Sequence, residues 1–374
     1  MADARKELPD DLLKAASRSF YLTLSVLPAR VRPQIGLAYL LARTTDTIAD
    51  TELVPLAQRL DALQKLRERI LGQSSAPLNF GELAKQQGSA AERILLEKVE
   101  GSLALLKTLS PADLKLVCNV LTTITSGQEL DLRRFAGSAG VPPAVCGVAP
   151  QTSSDGATPS AARETRALPQ KIIALETAAE LDDYTYRVAG CVGEFWTKLC
   201  RAHLFPGARL DEKQFIADGI RFGKGLQLVN ILRDLPADLK NGRCYLPAQR
   251  LDEAHLFPEI LLSPAAMEKF LPLFHEYLDK AESHLAAGWR YTNTLPFGQF
   301  RVRLGCAWAI LFGLRTIEKL RAASVIELRQ RVKISRGEVW RIVFVSLLAC
   351  PVPFVWRKLF SPARKAVASG GELA

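Results

Sequence analysis

The sequence predicts an all-α protein, and three observations predict it. Leu, Ala, Glu, Lys and Arg dominate the 374 residues, and these side chains lose little freedom on entering a helix. Apolar residues recur at three- and four-residue spacing, as in Leu103, Leu106, Leu114, Val117, Leu121 and Ile124, the rhythm of helices with one buried face. Alternating runs bounded by Asn-Gly or Asp-Gly, the mark of hairpins, are nearly absent; Asn241-Gly242 follows a helical stretch instead. With 48% hydrophobic and 24% charged residues, the composition excludes a disordered chain, a collagen-like fibre and a short disulfide scaffold.

Met1–Asp11 is charged and lacks an apolar stretch, so no signal peptide is expected and the expected location is cytoplasmic. Helical periodicity begins near residue 12. At Ser110-Pro111 the pattern breaks and restarts, with Ser as cap and Pro opening the new helix. Residues 137–169 hold four Gly, five Pro and no aromatic residue; such a segment buries too little apolar area to offset its ordering entropy. It reads as a flexible insertion within one domain of residues 1–340. Seven cysteines, an odd number without CxxC spacing, read as small apolar residues of a reducing compartment.

Residues 341–374 form a separate basic and apolar segment. Ile342–Trp356 is an uncharged run of 15 residues with two prolines, flanked by Arg341, Arg357 and Lys358. It is short of the roughly 20 apolar residues that span a bilayer, so it is expected either at a membrane interface, with Trp356 as anchor and Arg364 and Lys365 extending the basic face, or as a final core helix. Lys plus Arg number 49 and Asp plus Glu 39, and residues 301–374 alone hold 14 and 4. The +10 excess is therefore entirely C-terminal. Without aromatic interleaving or a known module it does not indicate nucleic acid.

The chemistry concentrates in two acidic pairs. Asp46 and Asp50, and Asp234 and Asp238, each stand at i and i+4, hence on one helical face. Like charges at that spacing repel and Asp is a mediocre helix former, so helix stability does not explain them. Arg43 precedes Asp46 by three residues, Arg233 adjoins Asp234, and Asn230 and Gln227 lie one and about two turns earlier. Magnesium is usually held by one or two carboxylates together with substrate phosphates; two such pairs on facing helices could grip a diphosphate, with Arg orienting the leaving oxygens. One pair alone would pass for a solvated helix face. No GxxxxGK[ST], HExxH or GxSxG occurs, Gly223-Lys224-Gly225 lacks the third glycine of a dinucleotide loop, and the four histidines are scattered.

Ser17-Arg18-Ser19-Phe20, the DTIAD run at 46–50, Tyr184 to Gly193 and Asn230 to Asp238 resemble, in order, the motifs of the squalene/phytoene synthases. The resemblance implies a single-domain isoprenoid synthase bundle around a central cavity, acting on two molecules of farnesyl diphosphate. It implies Asp46, Asp50, Asp234 and Asp238 as Mg²⁺ ligands. Arg18, Arg43 and Arg233 would hold diphosphate, with Ser17, Ser19, Gln227 and Asn230 in polar support, Phe20 on the cavity wall, and Tyr39 and Tyr184 at the reaction centre. Val332 to Gly337 is similar to the NADPH-binding stretch of squalene synthases, which implies Lys333 and Arg336 as cofactor contacts, although Ser335 stands where those proteins commonly carry a second basic residue. Ala49 stands where the family often carries another carboxylate. The implied reaction is condensation to presqualene diphosphate and NADPH-dependent reduction to squalene. A synthase without the reductive step, and a non-catalytic membrane-associated helical protein, are the alternatives.

Overall fold

The computed structural model describes residues 12–14, 20–136, 171–261, 263–323 and 332–360. The segment read as an insertion, and Ser17, Arg18 and Ser19, lie outside the described residues, as does the side chain of Phe20. The described chain is all-α, as its periodicity predicts. Its main helices are α1 (Phe20–Val26), α2 (Arg32–Asp50), α3 (Leu56–Ile70), α4 (Gly81–Lys85), α5 (Ala90–Glu97), α6 (Val99–Leu106), α7 (Pro111–Arg134), α8 (Ala178–Thr185), α9 (Cys191–Leu204), α10 (Glu212–Lys240), α11 (Ala248–Glu253), α12 (Pro264–Thr294), α13 (Phe300–Ala322), α14 (Arg336–Ala349) and α15 (Pro353–Lys358).

Local chemistry sets the starts of the long helices. Ser110 Oγ accepts the Asp113 amide at 3.2 Å with Pro111 at the first helical position of α7. Asp211 caps α10 and Ser263 caps α12 in the same way. Each bond satisfies an amide the first turn leaves without a helical partner. Val117, Leu121 and Ile124 then fall on the buried face of α7.

Close helix approach explains the glycines of the central motifs. A Cβ on Gly193 would strike the Gly219 carbonyl, and one on Gly223 the Ala189 carbonyl. Gly223-Lys224-Gly225 thus lies inside α10 and serves packing. Asn241 ends α10, and Gly242, at φ +74°, turns the chain into β2 (Arg243–Pro247). β2 pairs in parallel with β1 (Ile173–Leu175) in the register Ile173 opposite Arg243. Strands of three and five residues are too short to show alternation, so this ladder was not legible in the sequence.

Three helices frame the interior. Gln34 Nε2 donates to Asp113 Oδ2 at 3.2 Å, and Gln128 Nε2 donates to Asp46 Oδ1, so α2 and α7 run in the same direction. Arg187 Nη1 donates to Ser126 Oγ at 3.0 Å and His203 Nε2 meets Asp113 Oδ1 at 2.7 Å, so α9 runs opposite to α7.

The six described cysteines are free. The C-terminal segment corrects one expectation. Trp356 is 1% exposed: its indole stacks on Trp289 at 5.3 Å and donates to Asn293 Oδ1 at 3.0 Å. It therefore anchors α15 to the body, where apolar partners outweigh contact with any outside surface.

Candidate active site

The first acidic pair sits at the C-terminal end of α2. Arg43, three residues before Asp46, approaches its carboxylate at 3.6 Å but bonds Glu92 of α5 more closely, Nη2 to Oε1 at 2.7 Å. Asp46 accepts from Gln128 of α7. Beyond Asp50, Glu52 accepts from Arg243 at 3.3 Å, which ties the end of α2 to β2.

The second pair lies on α10, on the turns before Gly242. Arg233 clasps its neighbour Asp234 with two bonds, Nε to Oδ1 at 3.0 Å and Nη2 to Oδ2 at 2.6 Å. Asn230 and Gln227 are half-buried on the preceding turns of the same helix. Tyr245 of β2 donates to Asp131 Oδ2 of α7 at 2.7 Å and stacks on Tyr184 of α8 at 4.8 Å.

Electrostatics couples the two pairs: Asp50 acts on Asp238, and Asp46 and Asp238 both act on Tyr184. Burial, then repulsion from Asp234, Asp131 and Asp50, pushes the Asp238 carboxyl up to about 7 against the pull of Arg243. Asp46 is likewise pushed up to about 7, by burial first and Asp50 second, although Arg43 and Gln128 oppose this. Asp131 rises to about 6, chiefly through burial. Asp46 keeps 44% of its side chain exposed, so these groups line a concave cleft that water enters but protein surrounds. Burial is thus the main cause of each rise, and neighbouring carboxylates add to it against the pull of Arg43 and Arg243.

Among the described residues no three ligating side chains converge into a preformed cation cage. The donor set is one of separated carboxylate pairs facing a cleft. It fits cations that complete their coordination with ligand phosphate and water.

Behind the acids lies an apolar cavity of about 80 Å³, lined by Ile35, Ala38, Tyr39 and Ala42 of α2, Val120 and Ile124 of α7, and Val192, Phe195 and Trp196 of α9. Ala42 is one turn from Asp46, and Ile124 one turn from Gln128, so the first acidic pair stands just beyond this end of the cavity. At the opposite ends of the same three helices Gln34, Asp113 and His203 form a hydrogen-bonded floor outside the cavity lining. Burial raises Asp113, but bonds from His203, Gln34 and Ser110 outweigh it and hold the carboxyl below its usual range. Pockets for drug-sized ligands run to roughly 300–1,000 Å³, so long-chain ligands must part these side chains on entry.

Tyr39, Arg43, Asp46, Asp50, Tyr184, Gln227, Asn230, Arg233, Asp234 and Asp238 thus lie on elements gathered round one cleft. Lys333 and Arg336 are exposed at the start of α14. Ser335, the position where a second base was expected, is the N-cap there: its Oγ accepts the Glu338 amide and Glu338 accepts the Ser335 amide. Sequence reasoning missed Glu52, Glu92, Gln128, Asp131, Arg243 and Tyr245. One signal for two of them was present: Gln128 and Asp131 are polar groups three residues apart on a helix otherwise buried on that side.

Comparison with known proteins agrees with this architecture. A bifunctional lycopene cyclase/phytoene synthase of Blakeslea trispora is 26% identical over 308 residues, 79% of this chain and 42% of that protein. Another, of Gibberella fujikuroi, is 37% identical over 108 residues, 29% of this chain and 19% of that protein. The chain thus spans less than half the length of these curated relatives. Among solved structures, TcSQS with the ligand E5700 matches with a TM-score of 0.70 at 20% identity, over 94% of this chain and 88% of that one. A dehydrosqualene synthase matches with a TM-score of 0.53 at 18% identity, over 90% and 92%. At these identities the structural likeness establishes the fold. The family model described as squalene/phytoene synthase matches residues 13–338, and with that span of the helical body covered, the chain belongs to the squalene/phytoene synthase family.

Proposed function

We propose that the protein condenses two molecules of farnesyl diphosphate head to head into presqualene diphosphate and reduces that product to squalene with NADPH. The observation that carries the reading is the nearness of the α2 and α10 acid pairs beside an apolar cavity, with Asp50 acting on Asp238 across the cleft. Asp46, Asp50, Asp234 and Asp238 are the residues that would hold Mg²⁺, whose charge offsets that of a departing diphosphate.

Arg43 and Arg233 bind and orient the diphosphate oxygens. Both are held by carboxylates in the absence of ligand and change partner when phosphate enters. The C1–O bond of one substrate breaks, its electron pair leaves with diphosphate, and the C2=C3 bond of the second substrate attacks C1. A proton is then lost as the cyclopropane closes. Tyr184 stays a neutral phenol, since burial and nearby Asp131 push it well above 10, and with Tyr39 it presents a ring face to the cation. The apolar wall from Ile35 to Trp196 keeps water from capturing that cation.

Lys333 and Arg336 would hold the NADPH phosphate. The exposed start of α14 suits an anion, because its one acid, Glu338, is already engaged by Arg315 and Lys319. NADPH supplies the hydride for the reductive step. A thirty-carbon hydrocarbon has no stable place in water, so contact with a bilayer belongs to the same reading.

A second reading, condensation without reduction, is favoured by the phytoene synthase names of the curated relatives. Incubation with farnesyl diphosphate and Mg²⁺, with and without NADPH, separates the two. Squalene only with NADPH supports the proposal; an unreduced C30 product in both cases supports the second reading, and a requirement for geranylgeranyl diphosphate overturns the substrate assignment.

A further inference from the structure

The last two described helices are built inside out. On α14 the positions turned to the body are Val343, Ser346 and Ala349, three residues apart and mostly small. Those turned to solvent are large and apolar: Trp340 is 61% exposed, Phe344 63% and Leu348 61%, and Phe354 of α15 reaches 68%. Val345, Leu347, Val352 and Val355 widen the same surface. A helix of a water-soluble body ordinarily points its large apolar residues inward, and a contiguous exposed patch of this kind marks a contact surface.

The patch is rigidly mounted. Trp308 Nε1 donates to Ser346 Oγ at 2.8 Å, and the buried Trp356 is held by Asn293 and Trp289. Its rim carries one sign of charge. Arg341, Arg357 and Lys358 are exposed, Lys358 Nζ stands 4.1 Å over the Phe354 ring, and no Asp or Glu occurs between Glu338 and Glu372.

We infer that this face docks flat on an anionic lipid surface, with Trp340, Phe344, Leu348 and Phe354 entering the headgroup boundary and Arg341, Arg357 and Lys358 meeting lipid phosphates. The charge rim selects this occupant. A second copy pairing through the same patch would set one basic rim against another. No described helix is long and apolar enough to cross a membrane, and the contact inferred for this face is with the lipid surface. The inference deepens the bilayer contact proposed above, but it rests on this surface and holds whichever prenyl product is made.

Flotation of the full chain with vesicles of phosphatidylcholine alone, or with added phosphatidylglycerol, tests it. The wild type should float with the anionic vesicles. Replacing Arg341, Arg357 and Lys358 together by Gln should weaken that binding on the order of a hundredfold, about fivefold per charge. The combination Trp340→Ser, Phe344→Ser and Leu348→Ser should abolish flotation while leaving the melting temperature unchanged or raised. Brominated phosphatidylglycerol should quench wild-type fluorescence and quench Trp340→Phe much less, which needs no destabilising change. Absence of wild-type flotation would overturn the inference, as would flotation insensitive to the charge changes. A fall in melting temperature for the serine variant would show the face covered in the free protein, and a dimer dissolved by Phe344→Ser would assign it to a second copy; either result overturns it.

Discussion

The two ends of the α2–α7 pair that frames the cavity are built from the same bond and come out opposite. At the floor Gln34 of α2 donates to Asp113 of α7; at the mouth Gln128 of α7 donates to Asp46 of α2. Asp113 also receives His203 and Ser110 and is held below the usual carboxylate range. Asp46 is pushed up to about 7 by burial first and then by Asp50 one turn away. A buried carboxylate with enough donors is a structural tie, whereas one buried beside its own kind favours a proton or another positive charge.

The mouth should therefore fail in activity and the floor in stability. Asp46→Asn, Asp50→Asn, Asp234→Asn or Asp238→Asn should slow diphosphate release from farnesyl diphosphate by about 10²–10³ or more, with the helical circular dichroism signal intact. Near-normal release in any of them would remove that residue from the proposed metal set. Asp113→Ala should instead lower the unfolding free energy by about 1–3 kcal/mol, because His203 and Gln34 lose a buried acceptor; an unchanged denaturant midpoint would break the contrast.

Acid titration gives the two ends opposite signs. Asp113, depressed in the folded state, contributes stability that is present above its unfolded value and lost as pH falls through that value and below. Asp46 and Asp238, raised to about 7, contribute stability at low pH that is lost as pH rises through about 7. Mg²⁺ competes with those protons, so its upward shift of the melting temperature should be severalfold larger in apparent affinity at pH 8 than at pH 6, moderated by the solvent that reaches Asp46. An equal shift at both pH values would mean that these carboxyls do not receive the cation.

The smallest expected effect lies outside both ends. Lys333→Ala with Arg336→Ala should raise the KM for NADPH about tenfold, the scale of one or two charge-assisted contacts, and leave the first condensation unaltered. Unchanged squalene formation and NADPH affinity would sharpen the picture by removing α14 from the reaction.

Legibility followed sequence distance. The i, i+4 carboxylates and their adjacent arginines were readable because a helix alone brings such neighbours to one face. Gln128 reaches Asp46 across 82 residues and Tyr245 reaches Asp131 across 114, and no local period announces such partners. Trp356 shows the converse. Its basic, apolar neighbourhood suited an interface, but a site beside Trp289 and Asn293 was available to it, and the exposed role fell to Trp340.

By itself the sequence determined the helical periodicity, the cap at Ser110 and the two acidic faces, since each depends on residues within a turn or two. Only the tertiary structure decided which carboxylates crowd one another and which are satisfied, where the cavity stops, and which face of α14 is left outside. Those outcomes depend on burial and on charges carried by other helices. A carboxylate's neighbours through space set its charge and task, and the chain brings them there only on folding.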